Sequence, residues 1–302
     1  MRPKKARGAG FHGPMLAVRL ALSSAALFVM GCCLPALGSK EPYSAEALAA
    51  HVKSRQATYG DGWTVLATPS FVVIGDGLPN DVRLDAEEVV AVGARKLKAA
   101  FFERDPPDIV DVLMLKDDSS YDRAAGTILG PPTTPYGFFS PCQKRIYVNM
   151  TNGNGTLVHE LVHAFMAANF TSCPVWFNEG LGSLYEQPDL ASDPIRGRTN
   201  WRLEDLQEAI RDKKTIPIEE LLALSDWDFT AKKRVMLTYA MSRYLCYYLQ
   251  EKGLLQTFYR RFVESHGTDP TGLETLKSVL GIKDMRAFQS EWEAENMKLT
   301  FP

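Results

Sequence analysis

Between residues 156 and 165 the chain reads Thr-Leu-Val-His159-Glu160-Leu-Val-His163-Ala-Phe. On an α-helix, residues four apart differ by about 40° of rotation and one turn of rise, so both imidazoles can face one point. Two neutral imidazole nitrogens on one rigid element can bind a single Zn²⁺. A glutamate directly after the first histidine projects beside such a metal, where it can take a proton from water. The flanking Leu157, Val158, Leu161, Val162 and Phe165 make the helix largely apolar and predict its burial. A buried His-Glu-His cluster without a metal would be costly. The bland alternative is a pair of satisfied structural histidines with a surface glutamate between them.

A catalytic zinc takes three protein ligands and leaves a position open, so a third donor is needed. The extended metzincin pattern requires Gly at 166 and His at 169, where this chain has Met166 and Asn169. The other histidines, His12, His51 and His266, stand in unremarkable contexts. A stronger candidate is Glu179, in Pro174-Val-Trp-Phe-Asn-Glu179-Gly180-Leu-Gly-Ser-Leu-Tyr-Glu186. Fifteen residues separate it from His163, enough for one helix to finish, turn and send a second back past the metal. The set becomes His₂Glu. Ser183 and Glu186, one and two turns further on, are candidates to hold a ligand's outer N–H, a role that spacing alone does not assign.

His159-Glu-Leu-Val-His163 together with Trp176-Phe-Asn-Glu179-Gly180 resembles the gluzincin zinc metallopeptidases, particularly small bacterial peptidase-MA-like proteins. The shared signature covers about 30 residues. The resemblance implies a thermolysin-like αβ half followed by helices. It also implies an edge strand before the active-site helix that pairs with an extended peptide or protein substrate, for which 145–150 is the matching segment. Val235-Met-Leu-Thr-Tyr239-Ala-Met-Ser-Arg243 resembles the family's downstream helix, whose tyrosine points towards the metal. Tyr239 is then an oxyanion donor; the alternative is a core aromatic beside Tyr244, Tyr247 and Tyr248. The Gly-Ala-Met-Glu-Asn strand with which related aminopeptidases read a free amino terminus is absent, which favours an endopeptidase. In the mechanism so implied, Zn²⁺ on His159, His163 and Glu179 activates water, with Glu160 as general base. A catalytically silent zincin-fold scaffold or binding protein, and a metal-free envelope protein, are the competing readings.

The elements that must position these residues divide in two. Trp63–Ala67, Phe71–Ile74 and Ile109–Leu115 read as strands, being rich in β-branched and aromatic residues between turn formers. Asp85 is a cap for a helix to about Phe102. Short helices are expected at 45–56 and 119–129, and a hairpin or paired edge strand from Phe138-Phe139 to Arg145–Asn149. After residue 155 the strand signal nearly vanishes, and helices are expected at 155–169, 175–187, 203–213, 217–224, 231–251, 253–265, 270–280 and 283–297. Strands first and helices afterwards make an α+β fold. The expected form is a thermolysin-like zincin with a small N-terminal mixed sheet, an active-site helix and a mainly helical C-terminal subdomain. A single domain over 39–302 is expected, divided at 154/155.

Composition agrees with a globular chain: 302 residues, 45% apolar and 23% charged. Residues 1–31 hold five bases and no acid, leaving 29 bases against 36 acids in the rest, a formal charge of −7. Such a body offers no electrostatic case for nucleic acid. The basic head, an apolar run of 11 residues after Arg19 and the small residues that follow form a secretory signal. Val29-Met-Gly31-Cys32 resembles a bacterial lipobox, implying cleavage before Cys32 and lipid attachment to it. A cut after Gly38, or an uncleaved anchor, are the alternatives. All three export the body to the cell envelope or beyond. Oligomeric state is not legible. Among the remaining cysteines, Cys142 and Cys173 are open to pairing in an oxidising compartment, whereas Cys246 reads as a buried apolar residue.

Overall fold

A computed structural model of the chain describes residues 43–129 and 134–301. The signal, lipobox and His12 lie outside the described residues. Strands β1 (Thr64–Ala67), β2 (Phe71–Gly75), β3 (Val110–Leu115), β4 (Gly137–Ser140) and β5 (Arg145–Asn149) form one mixed sheet in the order β1-β2-β3-β5-β4. β2, β3 and β5 run parallel, and β1 and β4 flank them antiparallel. Every residue of β2 and β3 is buried, as expected of strands covered on both faces.

Strand alternation sorts the sheet into two cores. Val72, Ile74, Leu113, Leu115 and Tyr147 face α1 (Ala45–Tyr59) and α4 (Asp118–Leu129), whereas Phe71, Val73, Val112, Met114, Ile146 and Val148 face the larger core that contains the chemistry. The helix expected from Asp85 begins earlier, at Pro79. α2 (Pro79–Leu84), a π-helical stretch Asp85–Ala91 and α3 (Val92–Ala100) run on continuously, because a proline in the first turn starts a helix without losing a hydrogen bond.

After the sheet come α5 (Gly155–Asn169) and α6 (Val175–Leu184), then a small hairpin of β6 (Pro188–Asp189) and β7 (Arg196–Gly197). Helices α7 (Arg202–Arg211), α8 (Ile218–Leu222), α9 (Asp226–Phe229), α10 (Val235–Glu251), α11 (Leu255–Ser265), α12 (Leu273–Leu280) and α13 (Met285–Asn296) complete the fold. The β6–β7 hairpin and α9 were not expected; each is too short to carry a periodic pattern. α5 is buried continuously from Leu157 to Met166, and α6 lies between it and α10.

One expectation is overturned. β5 does not form an edge: β3 pairs with it on one side and β4 on the other. The edge strand next to α5 is β4. Neither do Cys142 and Cys173 pair, since Cys173 is a free thiol whose Sγ lies 3.6 Å from the Pro174 carbonyl. No helix among the described residues is long and apolar enough to cross a membrane.

Candidate metal centre

α5 starts where the chain leaves β5 through a short 3₁₀ turn at Met150–Asn152. Asn154 occupies the N-cap position, yet its side chain caps nothing and bonds Asp85 Oδ1 at 2.7 Å, pinning α5 to the π-helical stretch. A Cβ on Gly155 would lie 2.1 Å from the Glu186 carbonyl, so only glycine lets the start of α5 touch the segment just past α6. At the other end, Asn169 accepts from the amides of Glu103 and Arg104 and donates to the carbonyls of Arg104 and Phe165. The position that a metzincin would give to histidine is therefore a satisfied structural anchor.

The turn between α5 and α6 brings Glu179 back beside both histidines. Glu179 Oε2 lies 3.4 Å from His159 Nε2 and 3.6 Å from His163 Nε2. One donor atom from each residue falls within 4.8 Å of the other two, and all three side chains are buried. Zinc bonds of about 2.0–2.1 Å in tetrahedral array place neighbouring donors about 3.4 Å apart, which matches these two spacings. The other two described histidines stay away: His51 Nε2 is 2.7 Å from Asp111 on the α1 side of the sheet, and His266 packs among the rings of Phe170 and Phe262.

Both outer ring nitrogens have partners. His163 Nδ1 lies 3.0 Å from Asn178 Oδ1, and His159 Nδ1 lies 3.5 Å from Glu186 Oε1. Such contacts fix which nitrogen carries hydrogen and leave both Nε2 atoms turned towards Glu179. Of the two outer candidates, Glu186 takes the position, while Ser183 Oγ is buried with no hydrogen-bond partner among the described residues. Glu186 is itself held by Arg202, through Nε at 2.9 Å and Nη2 at 2.7 Å, and by Asn200 Nδ2 at 2.9 Å.

Asn178 and Gly182 were missed as functional residues. A Cβ on Gly182 would stand 3.0 Å from His159 Nε2 and 3.1 Å from its Cδ2, so the glycine makes room for the ring. Gly180 serves packing, since a Cβ there would meet the Ser242 carbonyl at 2.8 Å. Two glycines inside one helix carry a helix-propensity cost, and that was the available signal.

Glu160 is buried beside the pair, close to the Phe139 amide of β4, and keeps Oε2 without a hydrogen-bond partner among the described residues. Burial raises its pKa despite the two nearby imidazoles. Glu179 behaves oppositely: burial would raise it, but His163 and His159 hold it far below the carboxylate range. Burial would depress both histidines, yet the carboxylates win and raise them, chiefly Glu179 and Glu186 for His159 and Glu179 for His163. Without a metal the imidazoles and carboxylates neutralise one another, and a cation taking the place of the imidazole protons would meet the same carboxylates.

Tyr239, on α10, is half-buried, with the Arg202 guanidinium 5.0 Å from its ring centre. Burial first, then Glu179, raises its pKa well above that of a free phenol. Its ring packs on Phe229 of α9 at 5.3 Å. The structure thus brings Tyr239, Glu160 and the three donors into one buried neighbourhood.

The sequence matches no protein-family model and no curated protein. Among solved structures, the chain is similar to yeast LTA4 hydrolase in complex with bestatin, with a TM-score of 0.47 and 19% identity. That match covers 80% of this chain and 40% of the yeast protein, so the chain spans well under half of that neighbour's length.

Proposed function

We propose that the chain is a gluzincin-type zinc peptidase, with peptides or unfolded proteins as substrates. One observation carries this reading: a buried His₂Glu donor set lies beside a buried glutamate whose Oε2 has no hydrogen-bond partner among the described residues. A purely structural metal site has no use for such a base. His159, His163 and Glu179 hold the ion, which supplies Lewis acidity for polarising a scissile carbonyl and acidifying water.

The chain's own residues do the rest. Glu160 accepts the proton of the attacking water and delivers it to the departing amine; its raised pKa suits both halves of that exchange. The Phe139 amide lies close to that carboxylate, whose unpartnered Oε2 is left for the water. Tyr239 donates its phenolic hydrogen to the oxyanion that forms on the former carbonyl. β4, the sheet's edge beside α5, offers main-chain groups to an extended substrate, which favours internal peptide bonds. The basic, apolar N-terminus and Cys32 support an exported, lipid-attached form in the cell envelope.

The test is cleavage of a denatured protein by the purified chain. Hydrolysis that a chelator stops and zinc restores is expected. A protein that binds zinc yet cleaves nothing would leave a scaffold, and one that binds none would remove the reading altogether.

A further inference from the structure

Arg202 is the first residue of α7, and its side chain is almost fully buried. A cation is electrostatically disfavoured in the first turn of a helix, where acids such as the following Glu204 and Asp205 belong. Something other than helix stability keeps it there. Its Nε and Nη2 grip both carboxylate oxygens of Glu186, the forked geometry that only arginine supplies. The same guanidinium stands over two rings, Trp201 at 4.2 Å and Tyr239 at 5.0 Å. Asn200 completes the clamp by donating its side-chain amide to Glu186 and accepting the Arg202 backbone N–H.

Resting on the zinc-peptidase reading, we propose that Arg202 is a positioning residue that sets two parts of the centre at once. Through Glu186 it fixes the His159 ring, and through its face it fixes the ring of Tyr239. A ligand and the oxyanion donor, carried on different helices, share this one strut. Without it, Glu186 would be a buried carboxylate with only Asn200 and the His159 ring to hold it, and Tyr239 would lose the cation beside its ring.

Arg202→Lys keeps the charge and removes the fork, so it is the informative variant, with Arg202→Met as the uncharged companion. The experiment uses the full chain, with folding checked by near-ultraviolet circular dichroism. Zinc affinity is read by chelator competition, the visible spectrum is read on the cobalt-substituted protein, and turnover is split into kcat and KM. Arg202→Lys is expected to weaken zinc binding roughly ten- to a hundred-fold, to shift the cobalt bands, and to lower kcat with little change in KM. Tyr239→Phe should lower kcat while zinc affinity and cobalt bands stay as in the parent. The two substitutions should also be non-additive, the tyrosine's contribution shrinking once the strut is gone. Folded Arg202→Lys with parental zinc affinity and cobalt spectrum would overturn the link to His159; strictly additive kcat losses would overturn the link to Tyr239. A parent chain that binds no metal would instead defeat the zinc-peptidase reading, an outcome distinct from both.

Discussion

Gly182→Ala isolates the fit between α6 and the His159 ring. In an open helix this substitution stabilises by up to ~1 kcal/mol, because alanine loses less backbone freedom than glycine on folding. Here the added Cβ meets His159 at 3.0 Å from Nε2, 3.1 Å from Cδ2 and 3.2 Å from Cε1, against an ordinary contact of about 3.5 Å or more. Relief requires the ring to move by roughly half an ångström along the line of contact. The ring is not free to do so, since Glu186 stands at Nδ1 and the proposed ion at Nε2. Metal–ligand bonds tolerate only about 0.2 Å. Zinc affinity should therefore fall about ten- to a hundred-fold, the range seen when ligand orientation is disturbed. Chelator competition measures this, and Gly126→Ala in α4, with nothing within 4 Å of its Cβ, is the control. The control should gain stability and leave zinc binding unchanged. If Gly182→Ala behaved in the same way, the glycine would not be making room for a ring held in place.

Other outcomes follow from the same geometry. Glu160→Gln should retain zinc and lose hydrolysis by about 10²–10⁴-fold, as removal of a general base does; substantial turnover would exclude that role. Gly180→Ala should lower the melting temperature, through a cost of about 1–3 kcal/mol, because backbone atoms of α10 must give way; an unchanged melting point would contradict the close packing. His159 and His163 have raised pKa values because the carboxylates outweigh burial, so zinc bound as proposed would have to displace protons. Affinity should then rise with pH, about tenfold per unit for each displaced proton, and titration calorimetry in buffers of different ionisation enthalpy should register proton release. Binding without proton release would refute that sign.

Much of this arrangement was legible because it is local. The α5 and α6 boundaries are marked by Gly155 and Pro174, and the spacing of His159 and His163 is itself the geometry of one helix turn. Glu179 needed only a turn of ordinary length. What escaped was decided by distant partners. The family resemblance made β5 the edge strand, although the residues around 138–149 already suggested a hairpin, and it is the return of β4 through that hairpin that moves the edge outwards. Glu186 lies past the end of α6, where helical spacing no longer tells where a side chain points; Arg202 and Asn200 settle it from another element. Asn178 was readable in principle, since a ligand histidine needs an acceptor on its outer nitrogen and this amide adjoins the third donor.

X-ray absorption at the zinc edge, on the full chain purified without added metal, tests the central claim most directly. One zinc per chain is expected, bound by two imidazoles with oxygen donors at about 2.0–2.2 Å, and the imidazole signal should be lost in His163→Ala. Absence of zinc, or sulfur at about 2.3 Å in place of imidazole, would contradict the account.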